Sequence, residues 1–543
     1  MNQPEAIHAE LPTLLALAAF TLISLGLGFV ANLAQRKGKF LEKYFLGNRS
    51  LGAFAVALTA AVMSGGTFVG FPSLVYSFGW VVGLWIASYM VAPLTILGVL
   101  GKRIGQLARK TGAITLPDLF RERFGSPGLG ILTSVLVIFF LATNLVAQFS
   151  AGARILKPVL PATWVQAFAA HPLVGLNLDA GYLLALAIFT ATVVFYTSYG
   201  GFLAAIWTDV FQSLIMAVGV MILLPLALAA SGGLSHATEA GMKAAGDGFG
   251  FGPGAGRDFH PIGLAFSFFV MWAITGMGQP STLVRLMAFR DARTLRFSII
   301  YLTIYNAVIY IPLIFIFIAA RSILPSLHSS DDVMPHLIVK LANPYVAGLI
   351  LAAPYGAVLS TVSGWLLIVS SGLVHDIYQR YLHPTARERT IVWASYGMTA
   401  LVGLAVAVVA IHPPRYLQMI VVFSSTGMAS SFLAPAVLGA FWRRATAAGA
   451  IASMAVGAGV TMTLYLIGRF TPETLGLANL LPPSPDIGTP GALRPYYLFG
   501  LDPCVWALLA STVAGIAVSL VTKPPDPARV RDFFGADAAA NHA

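Results

Sequence analysis

The sequence predicts an all-α integral membrane protein of about thirteen transmembrane helices. Three observations carry that prediction. Of 543 residues, 57% are hydrophobic and only 10% are charged, where a soluble domain holds roughly 25% charged residues. The apolar residues gather in stretches of the ~20 residues that a bilayer crossing needs. The basic residues are placed asymmetrically, 23 of the 32 Lys and Arg on one side of the expected membrane and nine on the other, which is the positive-inside pattern. The net charge of +11 therefore reflects topology and gives no support to nucleic acid as a partner.

The first span runs near 11–33. The preceding Met1–Glu10 holds two Glu and no Lys or Arg, and the apolar run exceeds the roughly 7–15 residues of a secretory h-region, so it reads as an uncleaved span. Twelve more follow near 51–78, 80–101, 128–156, 174–196, 204–231, 260–284, 297–320, 343–373, 391–411, 416–441, 446–468 and 503–522. Basic loops follow spans 1, 3, 7, 9 and 11, and the basic tail follows span 13. All are odd-numbered, which places the N-terminus outside and the C-terminus in the cytoplasm. A multi-pass protein of the cytoplasmic (inner) membrane is expected. Three outer loops are long: 232–259, 321–342 and 469–502. No appended soluble domain is expected. Cys504 is the lone cysteine, so no internal disulfide forms.

Spans 2 and 7 are both interrupted by small residues, Ser64-Gly65-Gly66 in one and Thr275-Gly276-Met277-Gly278-Gln279-Pro280 in the other. They lie five spans apart, so the two groups of five have opposite topology. Paired interrupted helices in inverted repeats mark secondary transporters with a midplane site. Gly and Pro also serve ordinary helix packing, and it is the matched pair that favours function. The chain divides accordingly into 1–50, a leading span and basic loop; 51–232, the first repeat; 260–441, the second repeat; 442–522, two further spans with a long outer loop; and 523–543, a tail.

Ionisable groups at membrane depth are functional by default, and here they are nearly missing: all 21 Asp and Glu and all ten His fall in loops or near span ends. That argues against a proton relay, a catalytic metal site and an enzyme. Span 9 instead carries hydroxyls at its centre, Ser360 and Thr361, with the Ala357 carbonyl one turn before Thr361. Lipid offers hydroxyls no partner. Three neutral oxygens suit Na+ better than a divalent ion, which recruits carboxylates. The alternative is that each hydroxyl bonds back to a carbonyl of its own helix. Asp209, near the start of span 6, either caps a helix or receives an ion on its way out. Asn144 and Gln148 share a face of span 4, and Trp272, Thr275 and Gln279 share one of span 7. Either set lines a substrate cavity or bonds between helices.

These residues resemble the sodium:solute symporter family, which has a LeuT-like core of five plus five inverted spans. The likeness runs over about 40–445 and rests on five motifs in order: Tyr44-Phe-Leu-Gly-Asn-Arg-Ser-Leu-Gly52, Ser64-Gly-Gly-Thr-Phe-Val-Gly70, Tyr199-Gly-Gly-Phe-Leu-Ala-Ala-Ile-Trp-Thr-Asp209, Gly278-Gln-Pro-Ser-Thr-Leu-Val-Arg285 and Ala357-Val-Leu-Ser-Thr361. The resemblance implies a Na+ site of the Ala60, Met63 and Ala357 carbonyls with the Ser360 and Thr361 hydroxyls. It implies Asp209 on the ion's exit route, and a substrate cavity against Ser64, Gly65, Gly66, Thr67, Trp272 and Gln279.

Bacterial pantothenate and proline symporters are the most similar members. Val62 stands where proline symporters carry Asp, and Gly66 and Thr67 stand where sugar symporters carry Glu and Gln; both departures weigh against those substrates. A cavity without acid leaves backbone N–H groups to meet an anion, so a small carboxylate, with pantothenate the nearest named one, is expected to move with Na+ by alternating access. Proline or another amino acid, a monocarboxylate and a sugar stay as alternatives, as do a proton-coupled or uniport carrier and a membrane sensor without transport. The expected partners are the solute, sodium and the lipid bilayer, with no obligate protein partner.

Overall fold

The structure is a computed structural model. It describes residues 11–34, 54 and 57–534 apart from 59–62, 84–86, 171–178, 253–261, 290, 328, 413–416, 472–473, 478–479 and 483–492. Among the described residues there are helices and no strand. Ten helices among the described residues are long and apolar enough to cross a membrane, and a pair bent by 48° at Gln279 makes eleven. The other two expected spans, 2 and 3, fall on shorter pieces. These are the apolar helical stretch Gly66–Val82 and the π-helical Leu94–Gly101, the latter running into α3 below.

In chain order the helices that place the site are α1 (Leu11–Ala34), α2 (Phe71–Phe78, after a π-helical turn Gly66–Gly70), α3 (Lys102–Thr111), α4 (Leu116–Phe124), α5 (Pro127–Leu156) and α6 (Ala180–Ala230). The second half supplies α7 (Ile262–Ile274), α8 (Pro280–Ala288), α9 (Ala292–Ile323), α10 (Pro344–Ser371, continuing as Gly372–Leu382), α11 (Glu388–Val409) and α12 (Leu417–Phe441). Then come α13 (Ala447–Phe470), α14 (Pro503–Val521) and a short α15 (Pro527–Phe534).

Local chemistry sets the starts. The Leu129 N–H donates to Ser126 Oγ and the Val346 N–H to Asn343 Oδ1, with Pro127 and Pro344 at the first helical position, a cap that satisfies a helix-end donor while proline fixes the entry. Within α6, Tyr196 Oη meets Thr208 Oγ1. A straight helix would set residues twelve apart about 18 Å from each other, so the chain turns back there. That turn separates the apolar stretches Ala180–Ser198 and Ala205–Ala230, the expected spans 5 and 6.

Burial sorts core from periphery. The most apolar stretch of α12 is 94% buried and that of α10 83%, against 28% for α1 and for α14. The exposed leucines and phenylalanines of the outer helices face lipid and need no partner. Small residues bring α10 close to its neighbours: a Cβ on Gly348 would lie 2.5 Å from Ala16 Cβ, the close approach that membrane helix pairs use.

At the face carrying the basic loops, polar knots fix the helix ends. Asp118 of α4 accepts from Arg380 Nη2 at 2.8 Å, and His375 Nε2 lies 3.1 Å from its other oxygen; Thr115 Oγ1 donates to Asp376 at 2.8 Å. Burial pushes the Asp118 carboxyl up, but His375, Arg380 and Arg121 outweigh it and hold the group below its ordinary range. With their oxygens engaged in this way, these acids tie α4 to the extension of α10.

Candidate functional site

Span 2 is interrupted where its small residues stand. Met63 and Ser64 are non-helical and Gly66–Gly70 forms a π-helical turn. Small residues let other chains reach this backbone. The Gly65 N–H donates to Gln148 Oε1 at 2.7 Å, the Gly66 N–H to Ser64 Oγ at 3.1 Å, and Gln148 Nε2 donates to Asn144 Oδ1 at 3.2 Å. A Cβ on Gly65 would stand 2.6 Å from Ala151 Cβ, and one on Gly70 only 2.2 Å from Gln418 Oε1.

This corrects two expectations. Gln148 holds the break and does not line the cavity, and Gly65 behaves likewise. The N–H groups of Gly65 and Gly66 are bonded within the protein.

Against the break lies α10, and its hydroxyls divide. Ser360 donates to the Ala357 carbonyl at 3.1 Å, Ser363 to Ser360, and Ser370 and Ser371 to carbonyls three residues back. Thr361 leaves its own helix: its Oγ1 donates to the Met63 carbonyl at 2.7 Å. Four of the five expected ion ligands are thus on two facing segments, Met63 on one and Ala357, Ser360 and Thr361 on the other, all buried. Ala60 lies outside the described residues. The donor set of neutral carbonyls and hydroxyls suits an alkali cation and lacks the carboxylates a divalent ion prefers.

Beside this pair is a cavity of about 90 Å³, lined among others by Ser64, Gly66, Thr67, Asn144, Trp272 and Gln279. Sequence reasoning missed Tyr89, Asn306, Tyr310, Trp365, Gln418 and Ser425, which also line it. Tyr89 stacks on Tyr310 at 4.3 Å and on Trp272 at 5.2 Å, making an aromatic wall; Tyr310 Oη meets Thr67 Oγ1 at 3.1 Å. Asn306 Oδ1, Gln418 Oε1 and Trp365 Nε1 are buried without a protein partner. A buried polar atom left so is costly, and a solute with its own donors and acceptors would relieve it. The lining residues carry no charged side chain. Lone amides inside apolar spans, such as Asn306 and Gln418, were the signal available in the sequence.

Asp209 is buried in the second half of α6, 3.6 Å from Arg285 Nη2 on α8. Helical residues precede it, so it is not a cap. Arg285 is buried as well and is not the loop residue its place after span 7 suggested, because the chain bends at Gln279 and resumes as a helix.

An all-helical membrane protein with a broken span, a facing hydroxyl-bearing helix and an uncharged cavity between its spans is built as a secondary transporter. The chain belongs to the sodium:solute symporter family, which it matches over residues 44–457. Sodium-coupled movement of a solute, with sodium as the coupling ion, is the activity this membership gives. A sodium/pantothenate symporter of Haemophilus influenzae is 32% identical over 465 residues, 84% of this chain and 91% of that one. A sodium/proline symporter of the same organism is 30% identical over 468 residues, 82% and 86% of the two chains. Among solved structures, a Na+-coupled sialic acid symporter in a substrate-bound outward-open state matches with a TM-score of 0.71 at 17% identity, over 95% of this chain and 99% of that one. That likeness concerns the LeuT-like fold.

Proposed function

We propose that this symporter carries a small organic carboxylate, with pantothenate the foremost candidate, into the cytoplasm together with Na+. The observation that carries the reading is the Thr361–Met63 contact beside an uncharged cavity. Sodium is bound by the Ala60, Met63 and Ala357 carbonyls and the Ser360 and Thr361 hydroxyls. The cavity has no cationic side chain to meet a carboxylate, so the ion itself supplies the countercharge. Each then favours binding of the other, which is coupling by linkage. Pantothenate also brings hydroxyls and an amide to Asn306, Gln418 and Trp365, and apolar methyls to the aromatic wall. The 32% identity to a sodium/pantothenate symporter supports this choice.

At about 90 Å³ the cavity is smaller than the roughly 300 Å³ or more of an ordinary ligand site. The helices must part to admit the solute, as alternating access demands. The basic loops face the cytoplasm, and Asp209 receives the ion as it leaves.

A second reading, proline or another amino acid, draws on the similarity to sodium/proline symporters. Proteoliposomes decide between them. An inward sodium gradient should accumulate labelled pantothenate and leave labelled proline, monocarboxylates and glucose outside. Accumulation of proline alone would replace the substrate; uptake driven by a pH gradient without sodium would overturn the coupling.

A further inference from the structure

The last described helix, α15, lies across the basic face and touches parts of the chain that belong to both halves. Arg103 of α3 and Arg123 of α4 reach the end of α12: Arg103 Nε donates to the Ala440 carbonyl at 2.9 Å, Arg123 Nε to Gly439 at 2.8 Å and its Nη2 to Trp442 at 3.2 Å. These carbonyls end a helix and have no partner within it. The two arginines thus join the first half's loop helices to the second half's last span.

Helix α15 seals that junction. Phe534 stacks on Arg103 at 4.7 Å, on Arg123 at 5.2 Å and on Arg443 at 5.8 Å; Phe533 lies 5.5 Å from Arg123. Arg103 Nη2 also donates to the Phe533 carbonyl at 3.3 Å, Lys110 Nζ to the Asp532 carbonyl at 3.2 Å, and Arg529 Nη1 to the Glu122 carbonyl at 2.9 Å. Gly125, with φ of 68°, lets the Arg529 guanidinium lie where a Cβ would stand 2.4 Å from Arg529 Cζ.

Arg123 is 2% exposed and has no carboxylate partner among its contacts. Carbonyl oxygens and ring faces replace one. Burial, with Arg103 and Arg529 nearby, pushes its guanidinium down to about 10. So extensive a set of contacts around a buried cation is more than a tail needs to rest on a surface.

We propose that residues 527–534 are a strap that holds α3 and α4 against the end of α12 and must loosen each time these elements part during transport. Alternating access rocks a bundle of helices against the rest around the site, and a bridge between elements that part in that motion is strained or broken by it. The strap favours the arrangement described here, and its removal frees the other. The proposal rests on the alternating-access reading, but its test needs neither sodium nor solute, so a wrong substrate leaves it intact.

The test is a distance measurement between spin labels on Lys102→Cys and Phe441→Cys, both exposed; the native Cys504 is buried and stays unlabelled. The full chain in nanodiscs should give one dominant distance. A chain ending at Asp526 should raise a second, displaced population about tenfold, and Phe533→Ala/Phe534→Ala should do the same with the backbone kept. If truncation prevents folding, the double variant decides. Unchanged distance distributions in the folded variants would overturn the strap.

Discussion

The Thr361 hydroxyl donates its proton to the Met63 carbonyl at 2.7 Å, joining the broken second span to the helix whose other central hydroxyls bond within themselves. A hydroxyl has one proton and two lone pairs. Turned away from Met63, it leaves both oxygens free to face a cation. The contact marks where two segments come close enough to share an ion, and it distinguishes Thr361 from Ser360.

Thr361→Ala removes a ligand without adding bulk. The sodium concentration for half-maximal uptake should rise about tenfold, equivalent to ~1.4 kcal/mol. Thr361→Ser, which keeps the hydroxyl, should stay within about threefold. Initial uptake rates against sodium in proteoliposomes give both numbers. Equal sodium dependence in all three proteins would show that the hydroxyl is no ligand.

Gly70→Ala places a Cβ 2.2 Å from Gln418 Oε1, so the amide must move out of the cavity wall. The solute concentration for half-maximal uptake should rise about tenfold, while sodium dependence at saturating solute stays near that of the wild type. A change in sodium dependence alone would remove Gln418 from the substrate side.

Asp209→Asn leaves the Arg285 charge buried with its 3.6 Å partner gone. Breaking one half of a buried pair costs about 3–5 kcal/mol. Asp209→Asn should unfold earlier in a thermal scan, and Asp209→Asn/Arg285→Met should recover most of the loss. No recovery would mean that the two charges do not depend on each other.

Asp118→Asn weakens the tie between α4 and the extension of α10. Arg380 keeps 33% of its side chain in water, so the loss should be nearer ~2 kcal/mol than the range of a fully buried pair. Denaturation of the purified protein measures it, and an unchanged midpoint would make the knot decorative.

Much of this arrangement was legible from residue chemistry. Glycines inside an apolar span announced the break at Ser64, and hydroxyls clustered at membrane depth announced α10. Partners were harder. The spacing of Asn144 and Gln148 gave a shared face but not that Gln148 would reach the Gly65 N–H. Arg285 read as a loop residue because a bend at Gln279 followed by a new helix looks, along the chain, like the end of a span. Asn306 and Gln418 were single amides in apolar runs, where one polar group is as easily a packing contact as a ligand. Which of them face one cavity depends on how seven spans pack, and periodicity along one helix does not carry that.

The central claim is that neutral oxygens of two facing segments hold Na+. Radiosodium binding to the purified protein tests it without reference to the solute. Saturable binding to the wild type, lost in Ser360→Ala/Thr361→Ala while the double variant keeps its thermal transition, is the predicted result. Binding of the tracer to that variant with undiminished affinity would contradict the account.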